Sequence, residues 1–155
     1  MFKHIVTTLD GSEHAERALN YARDLAAATG AHLSLLSVLP PAGPSDEGRE
    51  RRCLAYLREQ GKALSDGGIG SVTAHAVFGD PADAINRFAQ SEGADLLVMT
   101  TRGLGTDERN VVGSIALKVL TIAPCPIVMI RIEPVAPPRT PAEERWQHEG
   151  GANVG

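Results

Sequence analysis

The sequence predicts an α/β fold, an open and mainly parallel five-stranded sheet with helices on both faces. Two observations carry that prediction. Strand-like apolar runs near residues 4–9, 32–39, 71–78, 95–100 and 126–132 alternate with helix-period segments near 13–29, 47–66, 81–92 and 112–123. Regular alternation of this kind implies right-handed crossovers between parallel strands. Several runs, such as Leu96-Leu97-Val98-Met99 and Ile127-Val128-Met129-Ile130, are apolar at every position, as strands covered on both faces are.

Each element has local signals. The first run ends in Asp10-Gly11-Ser12. Ser12 is a suitable N-cap, and Glu13 and Glu16 suit the positive end of a helix. Ala15, Ala18, Leu19, Ala22, Leu25 and Ala26 recur at spacings of three and four, so they share one buried face. Gly30 after Thr29 predicts a left-handed cap. The second strand cannot pass Pro40-Pro41-Ala42-Gly43-Pro44-Ser45, which predicts a surface loop before the second helix. The fourth apolar run breaks into Thr100-Thr101-Arg102-Gly103. Gly113-Ser114 then opens a helix near Ser114 that ends at Ala123-Pro124-Cys125-Pro126, ahead of the last strand.

Residues 1–133 are expected to form one domain, a length able to bury its own core. The segment from Pro134 to Gly155 is rich in Pro, Glu, Arg and Gly, with Trp146 its only large apolar side chain. Such composition predicts a disordered tail, with a partner-binding or dimer-clasping tail as the alternative.

Composition narrows the function. A hydrophobic fraction of 43% and a net charge of −4 describe a soluble globular chain with no general attraction to nucleic acid or to an anionic membrane. No apolar run reaches the roughly 18 residues that a membrane span needs. Met1-Phe2-Lys3-His4 enters a strand directly, without the layout of a signal peptide, so a cytoplasmic protein is expected. Cys53 and Cys125 lack CxxC spacing, and the five histidines are scattered without ligand spacing. Reduced, incidental thiols and no metal site are expected.

Phosphate chemistry is the one positive signal. Glycines let backbone approach a ligand, and the unpaired N–H groups of a loop and helix start attract anions. The sequence has no GxxxxGK[ST], Gly103-Leu104-Gly105 lacks the third glycine of a dinucleotide fingerprint because Glu108 stands there, and no GxSxG or HExxH occurs. No general base and nucleophile can be paired from the sequence.

The spacing Thr100-x2-Gly103-x9-Gly113-Ser114 resembles the signature of the universal stress protein family: glycine, two residues, glycine, nine residues, glycine, then serine or threonine. Three of the four fixed positions match, and Thr100 stands where the signature has glycine. The resemblance extends to Ile5–Ser12, to Gly79-Asp80-Pro81 and to Gly93-Ala94-Asp95, and covers about residues 3–132. It implies a Rossmann-like fold and a site for an adenine nucleotide, with ATP foremost and magnesium as an accompanying ion. By resemblance Asp10 contacts the nucleotide, the backbone of Val38 meets the adenine, and Gly103, Gly113 and Ser114 surround phosphate and ribose.

Thr100 adds bulk at this site and is expected to weaken binding, and Arg102 and Arg109 stand to offset the charge of Asp107 and Glu108, although solvated surface positions are the ordinary reading of both arginines. The resemblance further implies a homodimer through the 126–132 strand and a regulatory protein that signals through a partner. Two alternatives stand beside it: a dimeric interaction module without nucleotide binding, and a slow ATP hydrolase.

Overall fold

A computed structural model of the chain describes residues 1–41, 43, 46–102 and 112–132. The expected tail therefore lies outside the described residues, as do Gly103, Asp107, Glu108 and Arg109.

Five strands and four helices alternate among the described residues: β1 (His4–Thr8), α1 (Glu13–Thr29), β2 (His32–Leu39), α2 (Asp46–Asp66), β3 (Val72–Phe78), α3 (Pro81–Ser91), β4 (Leu96–Thr100), α4 (Ser114–Ile122) and β5 (Ile127–Ile130). All neighbouring strands pair in parallel, and the order across the sheet is β3-β2-β1-β4-β5. The chain thus builds outward from β1 to one edge, then crosses to the other side of β1 for β4 and β5.

The period-two alternation of each strand divides the core into two layers. Ile5, Leu33, Leu35, Leu96 and Val98 pack with Ala15, Ala18, Leu19, Ala22 and Ala26 of α1 and with Leu57 and Leu64 of α2. Val6, Leu36, Leu97 and Met99 pack on the opposite side with Ala82, Ile85 and Phe88 of α3 and with Ala116 and Val119 of α4. Burial of each large aliphatic side chain contributes about 1.5–3 kcal/mol. Four of the five buried residues of α1 are alanines, with Leu19 the fifth.

Helix ends follow the local signals. The Ser12 hydroxyl accepts from the Ala15 N–H at 3.1 Å, and Gly30 takes the left-handed conformation (φ 70°) with its N–H on the Ala26 carbonyl. Asp80 caps α3 by accepting from the Asp83 N–H, ahead of Pro81 in the first turn.

The last strand is shorter than the expected 126–132. It stops at Ile130 because Ile132 turns into the core, with its N–H on the Thr101 hydroxyl at 3.1 Å. No helix among the described residues is long and apolar enough to cross a membrane.

Candidate functional site

The strand order reverses between β1 and β4, so the connections leaving their carboxyl ends diverge and open a crevice. A cleft of about 420 Å³ lies there, within the roughly 300–1,000 Å³ of ligand sites. Asp10, Val38, Thr100, Arg102, Gly113 and Ser114, which are far apart in sequence, all line it. Gly103 lies outside the described residues.

One wall comes from the turn after β1. Gly11 has φ 84°, a left-handed conformation that glycine adopts without strain. This turn lets Oδ1 of Asp10 accept from both the N–H and the hydroxyl of Ser12, at 2.9 and 2.5 Å. The Leu9 carbonyl accepts from the Ser37 hydroxyl, tying the ends of β1 and β2 together. Tyr56 of α2 braces the start of α1 through Glu16 at 3.0 Å. Burial first, and then the Glu16 carboxylate, hold its phenol above the ordinary range, so it remains a neutral donor.

The opposite wall is the end of β4. Thr100 is buried, in register with Ile130, and its hydroxyl donates to the Arg102 carbonyl at 2.5 Å. Its backbone does not need glycine, since among the described residues only glycines have positive φ. Arg102 is 6% exposed and lines the cleft. The solvated surface position expected of it is thereby corrected, because the chain turns inward after Thr100 rather than out into solvent. A buried guanidinium at the cleft wall suits an anionic ligand.

Thr101 joins three segments. Its N–H donates to the Ile130 carbonyl at 2.9 Å, its carbonyl accepts from the Gly113 N–H at 2.6 Å, and its hydroxyl accepts from the Ile132 N–H. Gly113 occupies the N-cap position of α4 in an extended conformation (φ −69°, ψ 157°), with Ser114 as the exposed first helical residue. The first helical bond in this turn runs from the Leu117 N–H to the Gly113 carbonyl. The N–H groups of Ser114, Ile115 and Ala116 precede it, a helix start open to an anion. Lys118 pins α4 to the start of α3 through Asp80 and Asp83, at 3.2 and 3.4 Å. The Asp83 N–H, followed by Lys118, holds the exposed Asp80 carboxyl below its usual range.

Leu36, Pro40, Ile85 and Met99 add an apolar side to the cleft, and neither they nor Thr101 stood out in the sequence. Pro40 read only as a strand terminator and Met99 only as part of an apolar run. Among the described residues no group of three or more His, Cys, Asp or Glu is placed to hold a metal.

The model of the universal stress protein family matches residues 1–131. The chain belongs to that family. A universal stress protein of Thermus aquaticus is 36% identical over 137 residues, 84% of this chain and all of the relative. The solved UspA of Lactobacillus plantarum superposes with a TM-score of 0.75 at 22% identity, over 84% of this chain and 98% of that one. A universal stress protein solved in complex with cAMP superposes with a TM-score of 0.70 at 25% identity, over 83% and 97%. The five-stranded α/β architecture is the fold of this universal stress protein family.

Proposed function

We propose that this universal stress protein binds an adenine nucleotide in the cleft between β1 and β4, with ATP as the first candidate, and that it regulates a protein partner according to that occupancy. The observation that carries the reading is the convergence of Asp10, Val38, Thr100, Arg102, Gly113 and Ser114 on one cleft at the point where the strand order reverses. The parts suit the ligand. Leu36, Val38, Ile85 and Met99 offer an apolar slot for a base, the start of α4 offers unpaired N–H groups, and Arg102 offers positive charge. The complex of a family member with cAMP supports the choice of an adenine nucleotide.

The same reading makes the protein a homodimer. β5 is an edge strand, and beside it α4 exposes Leu117 and Leu120. An apolar edge of this kind is a hazard when open, and a second copy would cover it. The domain is taken as residues 1–133, with the remaining segment as a tail.

Native mass spectrometry of freshly purified protein tests the reading. A mass increment of one adenine nucleotide per protomer is expected. Protein that carries no nucleotide, and acquires none from a mixture of adenine nucleotides, would favour an interaction module without a ligand.

A further inference from the structure

The opposite end of the sheet from the cleft carries three histidines on the α3 side, one from each of the three strands β1, β2 and β3. The Nε2 of His4 lies 2.7 Å from the Ser34 hydroxyl, which lies 3.2 Å from the Thr73 hydroxyl. Thr73 in turn meets Nε2 of His32 at 2.9 Å and Nε2 of His75 at 3.0 Å. The Nδ1 of His32 reaches the Ser71 hydroxyl at 2.6 Å. The chain is anchored at one end by the Glu92 carbonyl, 3.1 Å from Nδ1 of His4.

That anchor determines every proton in the chain. A carbonyl only accepts, so Nδ1 of His4 carries the hydrogen and, in the neutral ring, Nε2 accepts. Ser34 must then donate to His4, and Thr73 must donate to Ser34. With its one hydrogen used, Thr73 accepts from the Nε2–H groups of both His32 and His75, and Nδ1 of His32 accepts from Ser71. Each donor has one acceptor throughout.

We propose that His4, His32 and His75, linked through Ser34 and Thr73, form a single proton-binding chain that takes up one proton by reversing the Ser34–Thr73 bond. When His4 is protonated, its Nε2–H donates to Ser34, Ser34 donates to Thr73, and Thr73 donates to His32 or to His75. The ring that now accepts moves its own hydrogen to Nδ1, so the other links of the chain survive with their direction changed. A second proton on His32 sets two cationic rings 4.9 Å apart. With all three rings charged, Thr73 faces three donors, Ser34, His32 and His75, with two lone pairs, and one of its three links is lost.

The surroundings favour a single charge. Burial first, then the charges of His4 and His75, push His32 below the ordinary histidine range, against the pull of Glu92. Besides Glu92, Asp95 faces the His4 end, its carboxylate accepting from the N–H groups of Lys3 and His4. Phe88 of α3 packs on the His75 ring and brings no charge. Because the folded value of His32 is depressed, the folded state binds fewer protons than the unfolded chain between that value and about pH 6.5. Stability from this ring is complete above about pH 6.5 and is lost as pH falls toward the folded value.

Nitrogen-detected NMR of the imidazoles in the full chain, from pH 8 to 5, tests the proposal. At pH 8 His4 should be the Nδ1–H tautomer, and His32 and His75 the Nε2–H tautomers. As His4 titrates, one of the other two should switch to Nδ1–H. Thr73→Val keeps the β-branched shape of an exposed position and deletes the hydroxyl, so the switch should disappear while His4 still titrates. Ser34→Ala cuts the chain on the other side of Thr73 and should do the same. Three rings that titrate independently with fixed tautomers, or a switch that persists in both variants, would overturn the proposal.

Discussion

The N–H of Gly113 donates to the carbonyl of Thr101 at 2.6 Å, so the start of α4 is fastened to the end of β4. The same threonine holds Ile130 through its N–H and Ile132 through its hydroxyl. One residue thus positions α4 relative to the last two strands.

Thr101→Val should therefore destabilise the fold out of proportion to its size. Thr101 and Ile132 are both buried, and the isosteric change leaves the Ile132 N–H without its acceptor. An orphaned buried donor costs about 1–3 kcal/mol. Urea unfolding should report a loss in that range for Thr101→Val and a much smaller one for Thr101→Ser, which keeps the oxygen. A loss for Thr101→Ser with none for Thr101→Val would show that the methyl group, not the bond, matters.

Thr100 carries a second prediction, in which two effects oppose each other. Crowding alone suggests that Thr100→Gly tightens nucleotide binding. Yet the Thr100 hydroxyl holds the Arg102 carbonyl, and the residue sits buried within β4. Thr100→Val, which keeps the shape, should weaken ATP binding by releasing the Arg102 segment. Thr100→Gly should weaken it too, and in addition cost about 0.5–1 kcal/mol of stability from backbone entropy. Calorimetric affinities of the two variants that exceed the wild-type value would restore the crowding argument.

Much of the fold was legible from sequence because its signals are local. Ser12, Gly30 and the spacing of Ala15, Ala18 and Ala22 state where α1 starts, stops and turns its buried face. The apolar runs of β4 and β5 state that both faces are covered. What escaped depends on tertiary pairing. Thr100 and Thr101 are the same residue type side by side; the Thr100 hydroxyl serves Arg102 two residues on, whereas only the pairing of β4 with β5 brings Ile132 to the Thr101 hydroxyl. Burial of Arg102 depends on the direction the chain takes after Thr100, and the end of β5 depends on Ile132 entering the core.

The proposed dimer makes a prediction at the open edge. The carbonyls of Pro126 and Ile130 accept from Leu97 and Thr101 of the β4 side, so by alternation the main chain of Ile127 and Met129 turns outward. Met129→Pro removes an outward N–H, and proline is tolerated on edge strands. Light scattering should show a dimer for the wild type and a monomer for the variant, with circular dichroism unchanged. A wild-type monomer at about 10 µM or above, the scale of weak specific association, would contradict the dimer.

The central claim is nucleotide binding at the β1–β4 cleft, and calorimetric titration of ATP into the wild-type protein, with and without magnesium, tests it most directly. Saturable heat with about one site per protomer is the predicted result, as expected for one cleft in each chain. The absence of heat under both conditions, at a protein concentration of tens of micromolar able to reveal a micromolar complex, would contradict it.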